Sequence, residues 1–287
     1  MSDLYVVFSR MKQVFIFFFC MTTILVEASG NISYANTDIN ITKLLNTKIL
    51  PSNKKYLMLD GTRFKGAHPS LGTKVTVLYE DQVLGGFKNY GQAPNEVLVK
   101  KRLSKFKGLD RIILDIESWS IGTRQRLDPL ASQHAQWYLQ VLRWAREVLP
   151  GTDLGYFGMP FSPWFAIKKP EIFLTDYQAM NDYILPILQE SDTLYPSFYL
   201  YYDDEKHLMK VMRMQISIGR FLNKPVLPFL WHRGPGSFFN SRVLSSGLMT
   251  TQCEFVKKFA DGFVWWSISW EKWNQAEWYG IATKCFR

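Results

Sequence analysis

Ile112-Ile113-Leu114-Asp115-Ile116-Glu117-Ser118-Trp119 reads as a buried β-strand whose C-terminal end abruptly carries two acids. Its aliphatic run is too short for a core helix and has the length of a strand covered on both faces. Side chains alternate along a strand, so Asp115 and Glu117 project to one side, with Cα atoms roughly 6–7 Å apart, while Leu114 and Ile116 pack on the other. Like charges that close in a partly dry setting resist joint ionisation, so one carboxyl keeps a proton near neutrality. Such a pair supplies a general acid beside an ionised partner. The same octapeptide also fits two solvated acids at a strand end, or a pair bridged to a nearby arginine such as Arg111.

Outward from this strand, apolar β-type runs recur at 56–60, 75–80, 111–117, 153–158, 193–200, 225–231 and 262–267, seven in all. Helical patterns fill most of the intervals, near 94–106, 132–149, 174–190, 205–222 and 246–259. In the second of these, Trp137, Leu139, Val141, Leu142, Trp144, Ala145 and Val148 form a broad apolar face, and Pro150-Gly151 ends the helix. Strands alternating with helices of this length imply parallel βαβ units. No Gly-rich phosphate loop follows the first strand, and polar or aromatic residues gather at many strand ends. A TIM-type (β/α) barrel, distorted and with seven clear strands, is therefore expected over an open doubly wound sheet. A chain of 287 residues, 47% hydrophobic, can bury one large core, and no repeat or linker divides it. The expected organisation is a signal peptide over 1–28, a polar lead over 29–54 and a single barrel domain over 55–287.

The signal peptide is read from Arg10 and Lys12 preceding an apolar run, 14–26, that ends at the small residues Ala28, Ser29 and Gly30. Thr22, Thr23 and Glu27 interrupt that run too early for a comfortable membrane span, although an uncleaved anchor is the alternative. Met11 before Lys12 would itself make a conventional start. The expectation is a secreted protein with no stable membrane insertion after cleavage. Losing 1–28 removes Asp3, Arg10, Lys12 and Glu27, two of each sign, so the net charge stays at +9. That charge suits an acidic partner such as an anionic polysaccharide, or simply aids solubility. Nucleic acid is not expected, because there is no Lys/Arg block, zinc-finger spacing or RNA-binding aromatic motif. Cys20 falls in the signal, leaving Cys253 and Cys285 to form one disulfide in an oxidising compartment or to stay as two buried thiols. Asn31-Ile-Ser and Asn40-Ile-Thr are glycosylation sequons.

Aromatic residues cluster at the strand ends. Tyr156, Phe157, Met159, Pro160 and Phe161 follow one strand, Tyr195, Tyr199, Tyr201 and Tyr202 surround another, and Trp231-His232-Arg233 and Trp265-Trp266 end two more. In a barrel these ends share one face, and rings around acids suit the apolar faces of a sugar. Trp266 and Phe198 are expected to point outward or into packing, and His232 is as readily a capped structural histidine as a functional one. No His/Cys/Asp cluster has metal spacing, so neither a metal nor a cofactor is expected. Ser197 lies in Tyr-Pro-Ser-Phe, which is not a nucleophile elbow.

Taken in order, these segments resemble the hyaluronidases, glycoside hydrolase family 56. Leu78-Tyr79-Glu80-Asp81 followed by Gly85-Gly86 is similar to the family's second strand, and 113–119 to its Asp-x-Glu-x-Trp strand. Gly155-Tyr156-Phe157-Gly158-Met159-Pro160 resembles its Gly-Tyr-Tyr segment, 194–200 its Pro-Ser-x-Tyr-Leu strand, and Gly262-Phe263-Val264-Trp265 its last strand. The resemblance implies an endo-acting β-N-acetylhexosaminidase that cleaves a hyaluronan- or chondroitin-like polymer with retention, by substrate assistance. Glu117 would be the proton donor, and Asp115 would orient and stabilise the acetamido group. Tyr199 would hold that group, Tyr156 and Trp265 would line its pocket, and Tyr79 and Trp231 join them as candidate substrate contacts. The chain departs from the family where Ser120 replaces an arginine, where no cysteine stands near Ser162, in having at most one barrel disulfide, and in showing no EGF-like stretch after Trp278.

Two other readings compete. A family 18 chitinase-like barrel also ends a strand in Asp-x-Glu, but Arg111 and Ile113 stand where its longer acidic signature requires acids. A non-catalytic, secreted sugar-binding barrel would not need the proton donor.

Overall fold

The computed structural model describes residues 40–45, 49–52, 56–63, 70–123, 126–200, 205–234, 242–269, 279–280 and 282–283. The expected signal peptide, Asn31, Tyr201, Tyr202 and Cys285 lie outside these residues. The first half of the described chain runs α1 (Ile41–Leu45), β1 (Leu57–Gly61), β2 (Thr73–Lys74), β3 (Thr76–Tyr79), α2 (Glu80–Leu84), α3 (Glu96–Leu103), β4 (Arg111–Asp115), β5 (Gly122–Thr123), β6 (Arg126–Leu127) and α4 (Ala131–Val148). The second half runs β7 (Asp153–Tyr156), α5 (Trp164–Lys168), α6 (Pro170–Glu190), α7 (Glu205–Phe221), β8 (Phe229–Trp231), β9 (Arg233–Gly234), β10 (Arg242–Val243), α8 (Ser246–Phe259) and β11 (Gly262–Trp266).

The long helices form where apolar residues recur at helical spacing. In α4 the buried positions are Ala131, His134, Ala135, Tyr138, Val141, Leu142 and Ala145, an i, i+3, i+4, i+7 stripe. Leu149 N closes the last turn on Ala145 O, and Gly151, at φ 82°, turns the chain away in a conformation that a side chain would strain. Caps mark other starts: Asn95 accepts from Leu98 N at 2.9 Å ahead of α3, and Ser245 accepts from Leu248 N at 3.3 Å ahead of α8. Asn40, the second sequon, is exposed and accepts from Lys43 N at 2.8 Å at the start of α1.

Seven of the strands form two parallel sheets, ordered β2-β1-β11-β8 and β3-β4-β7, and the other four pair as two antiparallel ladders, β5-β6 and β9-β10. Segment 192–198 lies between β7 and β8 and joins them through single bridges, Phe157 to Tyr195, Leu194 to Val226 and Ser197 to Phe229. Val75, between β2 and β3, donates to Asp60 O at 3.1 Å. The architecture is α/β with parallel sheets, as expected, but among the described residues the ladders do not join into one continuous barrel. The expected strands at 193–200 and 225–231 are mostly reduced to bridges because Pro196, Pro225 and Pro228 have no N–H to give a ladder.

Alternation along the strands separates three cores. Leu59, Ile113, Phe229, Trp231, Val264 and Trp266 join Val75, Tyr195, Tyr199, Leu227 and Ile268 in a cluster that, among the described residues, no helix residue enters. Their neighbours in sequence face the other way. Ile112, Leu114, Leu154 and Tyr156 pack with α4 and α6, whereas Leu230, Phe263 and Trp265 pack with α7 and α8. Burying each large apolar side chain stabilises the fold by about 1.5–3 kcal/mol, so a one-residue slip of any strand would expose one core to disturb another. Gly155 is the small residue in this scheme: a Cβ there would collide with the carbonyl oxygen of Thr193 and sit 2.9 Å from the Tyr195 ring. Among the described residues no helix is long and apolar enough to cross a membrane.

Candidate active site

The site is built on two adjacent strands. In the parallel register of β3 and β4, Tyr79 lies opposite Asp115, and each strand ends there. Glu80, the first residue of α2, is buried and turns its carboxylate across to the chain leaving β4. It accepts from Glu117 N at 3.1 Å, from Ser118 N at 3.0 Å and from the Ser118 hydroxyl. Those bonds replace a sheet ladder, which is why β4 stops at Asp115 although the apolar pattern continues to Glu117. Other anchors fix the same loop: Tyr138 OH donates to Ile116 O at 2.7 Å, Trp119 Nε1 to Gln92 O at 3.0 Å, and Gly91 N to Ser118 Oγ at 2.8 Å.

Asp115 and Glu117 line one cavity of about 340 Å³ together with Tyr79, Glu80, Tyr90 and Ser118. Asp115 shares the inward parity of Ile113, and its Oδ1 is buried without a hydrogen-bond partner among the described residues. Burial, then the charges of Glu117 and Glu80, push its pKa well above the usual carboxylate value, against an opposing pull from Arg63. Burial and the Glu80 charge also raise Glu117, whose side chain nevertheless reaches the surface. Arg111 does not bridge this pair. It lies at the opposite end of β4, where its Nη2 donates to Asp153 at 2.8 Å.

The aromatic candidates divide by parity. Tyr199 and Trp231 belong to the inward cluster, with ring centroids 5.6 Å apart. Trp266 completes that group, 5.5 Å from each, and its Nε1 donates to Tyr79 OH at 3.1 Å. Tyr156 and Trp265 do not join them, which corrects the expectation that they line the pocket. Tyr156 is 2% exposed and packs outward against Tyr138, with its hydroxyl donating to Tyr138 O at 2.8 Å. Trp265 is likewise 2% exposed and packs with Phe263 in the outer core. The inward rings are their sequence neighbours, Phe157 and Trp266; of the two expectations for Trp266, outward or into packing, the structure shows packing, in the inward cluster. Phe198 does pack in the outer core, and His232 is fully buried. Cys253 is buried on α8 and is disulfide-bonded, while Cys285 falls outside the described residues.

Sequence reasoning also passed over Glu80, Tyr90 and Arg63 as site residues. Glu80 had a signal, since it ends the apolar run next to β4. Tyr90 and Arg63 lie on connecting segments with no periodicity to place them. Among the described residues no group of three or more His, Cys, Asp or Glu side chains is placed to hold a metal ion.

Parallel strands interleaved with helices, with carboxylates gathered where one strand ends, make this an α/β protein, and its fold is similar to that of solved glycoside hydrolases. Among solved structures, the chain is similar to bee venom hyaluronidase, with a TM-score of 0.56 and 15% identity, covering 75% of this chain and 92% of that one. Bee venom hyaluronidase in complex with a hyaluronic acid tetramer matches with a TM-score of 0.56 and 16% identity, over 75% and 91% of the two chains. A family 18 chitinase from Pseudoalteromonas aurantia gives a TM-score of 0.42 and 15% identity over 67% and 69%. No protein family model and no curated protein matches the sequence.

Proposed function

We propose that this chain is a secreted, endo-acting glycosidase that cleaves a glycosaminoglycan-type polymer of N-acetylated and acidic sugars with retention, on a distorted barrel of seven parallel segments. The observation that carries the reading is the shared cavity at the end of β4, where two carboxyls with raised pKa values meet and one oxygen of Asp115 is buried without a partner. Both carboxyls are raised, Asp115 chiefly by burial and then by the Glu117 and Glu80 charges, so a proton is retained in the site above the usual carboxylate range. That Asp115 oxygen is the acceptor for the substrate's acetamido N–H. Binding there favours the ionised form of Asp115 and leaves the retained proton on Glu117.

Glu117 then protonates the glycosidic oxygen as the C1–O bond breaks and the acetamido carbonyl oxygen bonds to C1. The positive charge on the cyclised acetamido group lies against the Asp115 carboxylate, whose stabilisation is strong in a dry site. Glu117, now ionised, takes a proton from the water that attacks C1 and reopens the ring, so two inversions give net retention. Tyr79, which lines the cavity, supports the sugar-binding side of the reading, with Trp266 bonded to its hydroxyl and Tyr199 and Trp231 packed on Trp266. The same reading includes signal cleavage near Ala28 and a disulfide between Cys253 and Cys285.

Glu117→Gln keeps the shape of the side chain and removes its proton. Turnover of hyaluronan, chondroitin and chitin oligomers, measured side by side, is expected to fall on the order of 10²- to 10⁴-fold while oligosaccharide binding persists. A folded Glu117→Gln protein that cleaves the polymer at the parental rate would sink the proposal and leave a sugar-binding barrel or another acid pair.

A further inference from the structure

A second cavity, of about 210 Å³, opens on the far side of Tyr79 and is lined by Gly61, Thr62, Arg63, Lys74, Tyr79 and Gln82 among others. Tyr79 lines both cavities and is the wall between them. Among the described residues, the carboxylate-bearing cavity on one side has no basic residue in its lining, whereas this one has two and no acidic residue.

The two cations are held differently. Lys74 Nζ donates to Thr62 O at 2.8 Å and lies 3.6 Å from the buried Asp60, which itself accepts from Thr62 N and Thr62 Oγ1 at 2.9 and 2.5 Å. Lys74 thus ties down the turn that presents Arg63. The backbone of Arg63 is fixed by its N–H donating to Ser267 Oγ at 2.9 Å, and its guanidinium lies 4.3 Å from the centroid of the Tyr79 ring. Among the described residues no carboxylate lies within ion-pair distance of that guanidinium, and its charge is felt at Asp115. A guanidinium stacked on an aromatic ring, with its edge N–H groups unspent, is preorganised for a planar two-oxygen anion.

We infer that Arg63, with Lys74 behind it, forms a subsite for the carboxylate of a uronic acid, one sugar along the polymer from the residue held by Asp115 and Glu117. The inference rests on the proposed glycosidase reading and deepens it, by assigning where the acidic sugar is recognised. Tyr79 then separates two successive sugars, with its hydroxyl fixed by Trp266 and one face of its ring covered by Arg63. Alternating N-acetylated and acidic sugars match alternating acidic and basic cavities, so the repeat of the polymer sets its register in the groove.

The test is binding, which is independent of turnover. Affinities of the full-length protein and its Arg63→Gln, Arg63→Lys and Lys74→Gln variants are measured by titration against three probes. These are a hyaluronan hexasaccharide, the same hexasaccharide with its carboxyls reduced to alcohols, and a carboxyl-reduced chondroitin sulfate hexasaccharide. Arg63→Gln is expected to lose roughly 10- to 100-fold in the ratio of affinities for native over reduced hyaluronan. Arg63→Lys should recover part of that ratio, and Lys74→Gln should change it less than Arg63→Gln does. An equal loss on native and reduced hexasaccharides, or no loss on either, overturns the subsite, as does a loss confined to the sulfated probe. Selective binding through Arg63 in a wild-type protein that cleaves no probe would uphold the subsite and reject the hydrolase.

Discussion

The two ends of the same parallel strands treat their carboxylates in opposite ways. At the N-terminal end of β7, Asp153 accepts from Arg111 and Thr193, each at 2.8 Å, and from Tyr195 OH at 3.2 Å. Ahead of β11, Asp261 accepts from Arg220 at 2.7 Å, Ser52 at 2.6 Å and Val226 N at 2.9 Å. Burial works to raise Asp261, but the bonds from Arg220, Ser52 and Val226 outweigh it, and its pKa ends below the usual value. At the C-terminal end of β4 the balance is reversed: Asp115 keeps an unpartnered oxygen, and it and Glu117 are both pushed up. One end uses charge to hold strands together, and at the other Asp115 and Glu117 are kept in a costly state that a ligand can relieve, beside Asp60 and Glu80, whose bonds shape the loops.

The largest effect that sharpens this contrast is at the stable end. Asp261→Asn leaves Arg220 without its carboxylate and should lower unfolding stability by about 3–5 kcal/mol in denaturant titration, with kcat of the folded fraction nearly unchanged. A large loss of kcat with stability intact would erase the distinction between the ends. The next test compares two neighbours of opposite parity. Trp265→Ala should destabilise by about 3–5 kcal/mol through an outer-core cavity. Trp266→Phe, which removes the bond to Tyr79, should instead raise KM roughly 3- to 10-fold with little change in Tm.

How far the sequence foretells all this can be judged from those same residues. The apolar runs and helical stripes locate the strands and long helices, because burial and periodicity are local signals. Asp-x-Glu locates the acids for the same reason. Tyr156 and Trp265 were misjudged because the matched segments identify a strand end and say nothing of which neighbour faces inward. That parity depends on packing, with Leu154 and Phe263 already committed to the outer cores. Glu80 was legible only in part, since its role arises from a bond across 37 residues of sequence that no local pattern encodes.

Smaller effects probe the functional end. Asp115 has a raised pKa in the folded state, so the stability linked to its protonated form is fully present below the unfolded carboxylate value and is lost as pH rises through the folded one. Asp115→Asn should therefore unfold at higher temperature than the parent at neutral pH, and the difference should vanish in acid. Turnover should be severely reduced all the same. A variant less stable than the parent at neutral pH would mean that Asp115 is paired after all. Glu80→Gln is the mildest change: the amide oxygen can still accept from the two backbone N–H groups, but the charge is gone. Both raised carboxyls should fall, moving the alkaline limb of the pH–rate profile to lower pH, with kcat at the optimum altered by less than about 10-fold.

Glu80 also bears on how this chemistry could be moved to another scaffold. Its carboxylate reaches from the first turn of α2 to the peptide N–H groups of Glu117 and Ser118, so the acid-bearing loop takes its shape from a different strand. A transplant of 111–119 alone would carry Asp115 and Glu117 without the clamp that shapes the loop between them. The smallest portable cassette is two strands wide and reaches to the other anchors of the loop, 76–92 together with 111–119 and a partner for Ile116 O in place of Tyr138. A library that diversifies one half while freezing the other would mostly sample broken loops.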